Sequence, residues 1–291
     1  MSLLNEEFLK AANKGQLNPL KKLLKHGSDL KCCDPDGGWN GLHLSSRNGH
    51  IAVVNFLLKN GVEVGSKAND GTDAVFWAAK NGHLHIVKLL YSKGATFNCK
   101  SNDENNDNFT ALHWAAYNGH CLTVRFLIKH GADVNVKTKS NQNALVLAAK
   151  MGHNEIVELL LKHGADLHCK GDADGKTAVH FAAERGDPQF VDFLLQHGAD
   201  MKAVDKMGMT PFHLAALNGN KTTVQYLVEK KGFDLNTPVE SSQYHGWTAF
   251  HLALYNGQYS VSHYLFRKGA QCKLKKVPIK SFQQTRISLS D

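Results

Sequence analysis

Seventeen histidines and six cysteines in 291 residues invite a metal reading, so their spacing comes first. No Cys-x-x-Cys pair occurs. Five histidines (His43, His113, His180, His213, His251) stand three residues after a threonine or its replacement. Four (His50, His83, His120, His153) follow a glycine, and four (His26, His130, His163, His197) precede one. Cys32, Cys99 and Cys169 each fall five residues after a glycine. Copies of one position in successive helical layers lie roughly 10 Å apart, whereas zinc ligands lie ~2 Å from a shared ion. The expectation is therefore no metal and no other cofactor, with the cysteines acting as small packed hydrophobes in a reducing compartment. Catalytic signatures are missing too: no G-x-S-x-G, H-E-x-x-H, G-x-x-x-x-G-K-[ST] or strand-to-helix G-x-G-x-x-G occurs. No catalytic residue is assigned, and an enzyme is not expected. "NDENND" (Asn102 to Asp107) offers oxygen ligands without the distal glutamate of a calcium loop, so it reads as a solvated tip.

The recurrence has a source. "TALHWAAYNGH" from Thr110 returns as "TAVHFAAERGD" from Thr177, "TPFHLAALNGN" from Thr210 and "TAFHLALYNGQ" from Thr248. Weaker echoes start at Asn40, Asp73 and Asn143. The closing glycines, Gly49, Gly82, Gly119, Gly152, Gly186, Gly219 and Gly257, step by 33, 37, 33, 34, 33 and 38 residues. A second glycine follows twelve or thirteen residues later, after an apolar stretch such as "NEIVELLLKHGAD", whose Ile156, Val157, Leu159 and Leu160 share a helical face. Each unit reads as a short capped helix, a glycine break, an apolar helix and a polar link. Self-similarity at this period means a stacked helical array, in which each unit buries its apolar face against its neighbours.

The T-P-L-H-x-A-A-x-x-G-H pattern followed by V-x-x-L-L-x-x-G-A-D resembles the ankyrin repeat, over residues 5 to about 270. The resemblance implies an all-α repeat solenoid of stacked helix-turn-helix units with β-hairpin fingers. Residues 1–34 read as an N-terminal capping helix pair. Seven repeats follow over 35–270, at about 35–67, 68–104, 105–137, 138–171, 172–204, 205–241 and 242–270; residues 271–291 form a basic tail. The motif threonine and histidine should hydrogen-bond around the turn and tie adjacent loops. Repeats one, two and four depart from the motif through Ser45-Ser46, Phe76, Val146, Asn40, Asp73 and Asn143, and should be the weaker layers. "LIKHGADVN" ending at Asn135 resembles the segment that asparaginyl hydroxylases modify, which makes Asn135 a modification candidate; a plain consensus loop is the competing reading.

The resemblance puts partner binding on the concave face, at finger tips and first-helix ends. Finger residues before the motif threonine or its replacement are Trp39, Thr72, Phe109, Gln142, Lys176, Met209 and Trp247. First-helix residues two before the closing glycine are Arg47, Lys80, Tyr117, Lys150, Glu184, Leu217 and Tyr255. Large aromatics at such positions cost solubility unless covered, and Trp, Tyr and Arg dominate interface hot spots. The partner-binding set read from the chain is Trp39, Phe109, Tyr117, Lys150, Arg185, Met209, Tyr244, Trp247 and Tyr255; sideways packing between fingers is the competing reading. Trp77, Trp114 and Phe181 follow the motif histidine or its replacement and are expected in the core.

Net charge is +8, but the last 25 residues, from Arg267, hold seven Lys/Arg and one acid, against 27 and 25 in the rest. A near-neutral body with a basic end makes nucleic acid an unlikely partner class. No apolar run approaches the ~20 residues of a membrane helix, and the first fifteen residues lack a signal peptide's apolar core. The reading is a non-enzymatic interaction scaffold, monomeric when free and cytoplasmic, or nuclear through "KLKKVPIK" (Lys273 to Lys280). Its partner is a protein segment with apolar or aromatic and some acidic residues. Two alternatives stand: nucleotide or oligonucleotide binding by aromatic stacking plus Lys/Arg, with "GGWNGLH" from Gly37 taking part, and a recognition module of a longer chain.

Overall fold

A computed structural model describes residues 2–102, 108–171, 174–240 and 244–272. Most of the acidic finger tip and the Lys273 to Lys280 stretch lie outside the described residues. Among the described residues there are sixteen helices and no strand, the content of an all-α repeat solenoid. They come in pairs: α1 (Leu3–Asn13) with α2 (Leu17–Lys25), α3 (Gly41–Arg47) with α4 (Ile51–Lys59), α5 (Ala74–Lys80) with α6 (Leu84–Ser92), and α7 (Ala111–Tyr117) with α8 (Cys121–Lys129). Next come α9 (Ala144–Met151) with α10 (Asn154–Lys162), α11 (Ala178–Arg185) with α12 (Pro188–Gln196), α13 (Pro211–Leu217) with α14 (Lys221–Glu229), and α15 (Ala249–Tyr255) with α16 (Tyr259–Arg267). No helix among the described residues is long and apolar enough to cross a membrane.

Contacts divide the chain into two compact units: Met1–Ala182 with Asp192–Asp200, and Ala183–Val191 with Met201–Asp291. In the first unit α1, α3, α5, α7 and α9 pack in succession, while α4, α6, α8 and α10 form a second layer. In the second unit α13 packs on α15 and α14 on α16. The alanine pairs let first helices approach closely: Ala115, Ala116, Ala148 and Ala149 are wholly buried. On the second helices one stripe faces inward, as with Ile156, Val157 and Leu160 of α10. Each such side chain contributes ~2 kcal/mol by leaving water.

The motif histidine does structural work. His113 Nδ1 accepts the Thr110 backbone N–H at 3.0 Å, which leaves the Nε2 proton to donate to the Val136 carbonyl at 3.0 Å. His43 reaches Ser66 and His213 reaches Thr237 in the same way, at 3.1 and 2.9 Å. Repeat four loses the histidine to Val146, yet Asn143 compensates: its Oδ1 caps the Val146 N–H, and its amide donates to the Asp166 carbonyl at 2.9 Å. In repeat two, Asp73 caps Phe76 and pairs with Lys67 at 3.0 Å. Repeat one keeps a defect, since the buried Ser46 hydroxyl has no hydrogen-bond partner.

The histidines after the closing glycines bind backward. His153 donates from Nε2 to the Tyr117 carbonyl at 3.0 Å, and its ring lies against Gly119, where an added Cβ would come within 2.6 Å of it. With φ at +78°, Gly119 satisfies both a left-handed backbone and this close approach.

Among the described residues the expected β-hairpin fingers show no strand. Backbone bonds close the finger bases, such as Ala68 N–H to Thr72 at 2.9 Å and Val239 N–H to Trp247 at 2.7 Å. Isolated antiparallel bridges occur at Cys33 with Asn40 and at Gly171 with Lys176.

Candidate functional site

The second unit brings three of the expected aromatics together. Trp247 ends the last finger, and the ring of Tyr244 meets it edge-on at 5.3 Å. Tyr255, the last residue of α15, meets the other side of Trp247 edge-on, also at 5.3 Å. Such pairs add about 1 kcal/mol beyond area burial and hold the rings in one arrangement. Beneath them lies a buried cluster of Met209, Leu214, Val239 and Leu252, with Met207, Leu217, Tyr244 and Trp247 packed partly buried against it. Tyr255 stays 51% exposed. Met209 requires a correction: it is only 2% exposed, because the Asp205 carboxylate binds its backbone N–H and folds the finger so that the thioether points into the cluster. It supports the surface and is not part of it. Arg185, at the end of α11, is exposed.

The first unit holds Trp39, Phe109 and Tyr117, all half-buried, and an exposed Lys150. They do not stand alone. Trp39 packs on Trp77 at 4.3 Å, and Phe109 on Trp114 at 4.9 Å, with Tyr117 edge-on to Trp114 at 5.7 Å. The finger aromatics do pack sideways, but onto a tryptophan of a first helix. Trp77 fits the core expectation at 8% exposure, its indole N–H donating to the Thr72 hydroxyl at 2.8 Å. Trp114 departs from it, being only half-buried.

Two cations named among the first-helix ends, but not in the partner-binding set, complete this arrangement. Arg47 lies over Trp39 and Trp77 at 5.2 and 5.5 Å from their ring centres. Lys80 lies over Trp77 at 4.9 Å and over Trp114 at 3.6 Å. One register recurs: the cation two residues before the closing glycine sits over the aromatic of the next first helix, as Arg47 on Trp77, Lys80 on Trp114 and Lys150 on Phe181 at 6.0 Å. Lys176 approaches Phe181 from its finger at 5.8 Å. The visible sequence signal was Trp77 with Lys80, three apart on one helix face.

Asn135 is exposed but bound at both ends of its amide. Its nitrogen donates to the Gly164 carbonyl at 2.9 Å, and its oxygen accepts from the Asp166 N–H at 2.7 Å. The amide thus ties two repeats, and a modifying enzyme would have to part those bonds. The cysteines are free. Cys99 donates to the Gly71 carbonyl and Cys169 to the Asn141 carbonyl, at 2.9 and 3.1 Å. Burial pushes the Cys32 and Cys99 thiols up to about 11, away from nucleophilic thiolate. Among the described residues, no three His, Cys, Asp or Glu side chains converge as metal ligands.

Helix pairs at this period, tied by threonine and histidine, define a repeat protein whose distinctive chemistry lies on fingers and first-helix ends. The family model of ankyrin repeats matches residues 8–101, 66–138, 96–171, 133–205 and 179–276, and the chain belongs to the ankyrin-repeat family. It is also similar to the 2-5A-dependent ribonuclease of Mus musculus, 30% identical over 67 residues. That match takes in 23% of this chain and 9% of the ribonuclease. Ankyrin repeats make the chain a protein-interaction module.

Proposed function

We propose that this chain is a non-enzymatic scaffold that binds a partner protein through the finger side of its repeats, with Tyr244, Trp247 and Tyr255 as the anchor. The observation that carries the reading is Tyr255: a tyrosine ring half exposed, yet held edge-on by a tryptophan that is itself fixed on a buried cluster. Preorganised aromatics lose little side-chain entropy on binding, which is why they dominate interface energetics. The partner segment supplies apolar or aromatic side chains here and acidic ones toward the lysines and Arg185.

Nucleotide or oligonucleotide binding is the rival reading. It draws support from the name of the mouse relative, which marks that enzyme as dependent on 2-5A, and from the cations and indoles of the first unit. Salt separates the two, since phosphate binding weakens steeply with ionic strength.

The test selects binding peptides from a display library on the immobilised chain and measures their affinity calorimetrically. Tyr255→Ala should weaken binding by ~2 kcal/mol, about thirtyfold, while changing stability by about 1 kcal/mol or less. Trp247→Ala should weaken binding equally but cost more stability, because it also uncovers the Met209 cluster. Selected ligands that bind Tyr255→Ala as tightly as the native chain would place the site elsewhere.

A further inference from the structure

The motif histidines share one proton assignment and one target. Nδ1 accepts the N–H of the residue three before it, and Nε2 donates to the carbonyl five residues after the second glycine. That carbonyl is Ser66 for His43, Val136 for His113 and Thr237 for His213. His251 keeps the first half of the arrangement, its Nδ1 accepting the Thr248 N–H at 3.1 Å. The second half is missing. The residue is 6% exposed, and its Nε2 is buried without a hydrogen-bond partner. A buried donor left unmet is unfavourable, so the fold calls for an acceptor there.

The chain's own course supplies one. Asn135 Oδ1 accepts the Asp166 N–H, two residues after Gly164, at 2.7 Å. Asn236 Oδ1 accepts the Gln271 N–H, two residues after Gly269, at 2.8 Å. The link leaving repeat seven thus starts on the course of an earlier link. The Cys272 backbone comes near enough to the His251 ring to favour its protonated form, yet makes no hydrogen bond with Nε2. By the common register the acceptor carbonyl belongs to Leu274, which lies outside the described residues.

The face around His251 is open as well. The residue before the motif histidine or its replacement (Leu42, Val75, Leu112, Leu145, Val179 and Phe212) is at most 3% exposed in the first six repeats. Its counterpart Phe250 is only half-buried, and meets Phe266, itself 46% exposed, at 6.5 Å. Among the described residues no helix follows α16 to cover these rings.

We propose that this face is the docking site of the chain's own residues 274–282, with the Leu274 carbonyl on His251 Nε2 and Val277, Ile279 and Phe282 over Phe250 and Phe266. Nine extended residues at about 3.3 Å each are long enough to cross a helix pair about 20 Å wide. Lys273, Lys275, Lys276 and Lys280 interleave with the apolar residues, so the segment can cover the rings and keep its charges in water. Lys276 stands where other repeats bury a finger-base residue such as Ala68, Thr138 or Val239, and lysine is almost never buried unpaired. Another finger is therefore disfavoured, and the segment is left to cross the face. Its tether at Cys272 gives it an effective concentration that a separate chain lacks. The proposal does not rest on the partner-binding reading.

Two measurements on the full chain test it. The first is hydrogen exchange of the native protein, of Val277→Ser/Ile279→Ser/Phe282→Ser, and of a control, Lys275→Gln/Lys276→Gln. The serine variant should speed exchange in α15 and α16 at least about tenfold and lose the slowly exchanging His251 Nε2 proton, while the control matches the native chain. Exchange in α13 and α14 should be alike in all three, which verifies that the fold persists. The second is photocrosslinking from Phe282→benzoylphenylalanine, which should join residue 282 to α15 or α16 of the same chain at a yield unchanged by dilution. Equal exchange of α15, α16 and the His251 proton in the native chain and the serine variant overturns the proposal. So does equal acceleration by the glutamine control, or a failure to crosslink to either helix. Crosslinks between chains that fade on dilution overturn it in favour of a second copy on this face.

Discussion

Acid should loosen the second unit through His213. Its side chain is fully buried, Nδ1 accepting the Thr210 N–H at 3.1 Å and Nε2 donating to the Thr237 carbonyl at 2.9 Å. A proton added at Nδ1 would set one N–H against another and place a charge where no water reaches. Burial accordingly holds the His213 pKa down to about 4, against the ordinary 6.5. The unfolded chain takes up this proton near pH 6.5 and the folded chain only near 4. The unfolded state therefore binds more protons in between, and stability falls as pH drops through that window. At about 1.36 kcal/mol per pH unit, complete passage removes about 3 kcal/mol, a large part of a typical domain's 5–15 kcal/mol. His43 and His251 shift in the same direction, with burial as the main cause, so other layers add to the loss. The assay is urea unfolding of the native chain and His213→Asn from about pH 7.5 down to about pH 4.5, with hydrogen exchange resolving α13 and α14. Asparagine does not titrate, so the variant should start less stable and fall less steeply, the two curves converging in acid. Parallel curves, or a His213 ring resonance titrating near 6.5 in the folded protein, would refute the reasoning.

Gly119→Ala should cost about 2 kcal/mol, read as a lowered urea midpoint, because it strains a left-handed residue and drives a methyl into the His153 ring. Adding His153→Ala should relieve the clash but not the strain; full recovery would show that backbone conformation is irrelevant there. Asn143→Ala removes both the Val146 cap and the bond to Asp166, and should also cost about 2 kcal/mol. A loss below about 0.5 kcal/mol would mean that repeat four does not depend on this substitute for the histidine.

What repeats was legible, and what happens once was not. A residue type returning at a fixed position has one structural fate, so sorting thirteen histidines by position revealed their layer role before any geometry was known. The meeting of Trp247 with Tyr255 follows from the same regularity, since one repeat's finger and helix end share a face. Asn143 escaped this logic. Asparagine stands at the threonine position in repeats one and four, but only repeat four also lacks the histidine, and only side-chain geometry reveals that the Asn143 amide reaches a carbonyl normally served by a histidine ring. Met209 escaped for a related reason. Its position matched Trp247 by count, but the Asp205 turn sends its side chain inward, and alignment by count carries no rotamer.

The cations of the first unit show where sequence reading could have gone further. Trp77 and Lys80 lie three apart on one helix, a spacing that predicts contact from the helical period alone. Lys80 on Trp114 is different, because 34 residues separate them and their meeting depends on how one first helix stacks on the next. That stacking is itself regular: Arg47 on Trp77 and Lys150 on Phe181 follow the same register. The scaffold thus converts a repeat spacing into a fixed offset between a charge and the next aromatic face. Since alanine pairs, glycines and histidines are committed to holding layers together, specificity is left to the few positions where that offset pairs unlike side chains. In the first unit those pairs present cations, and in the second they present tyrosine and tryptophan edges.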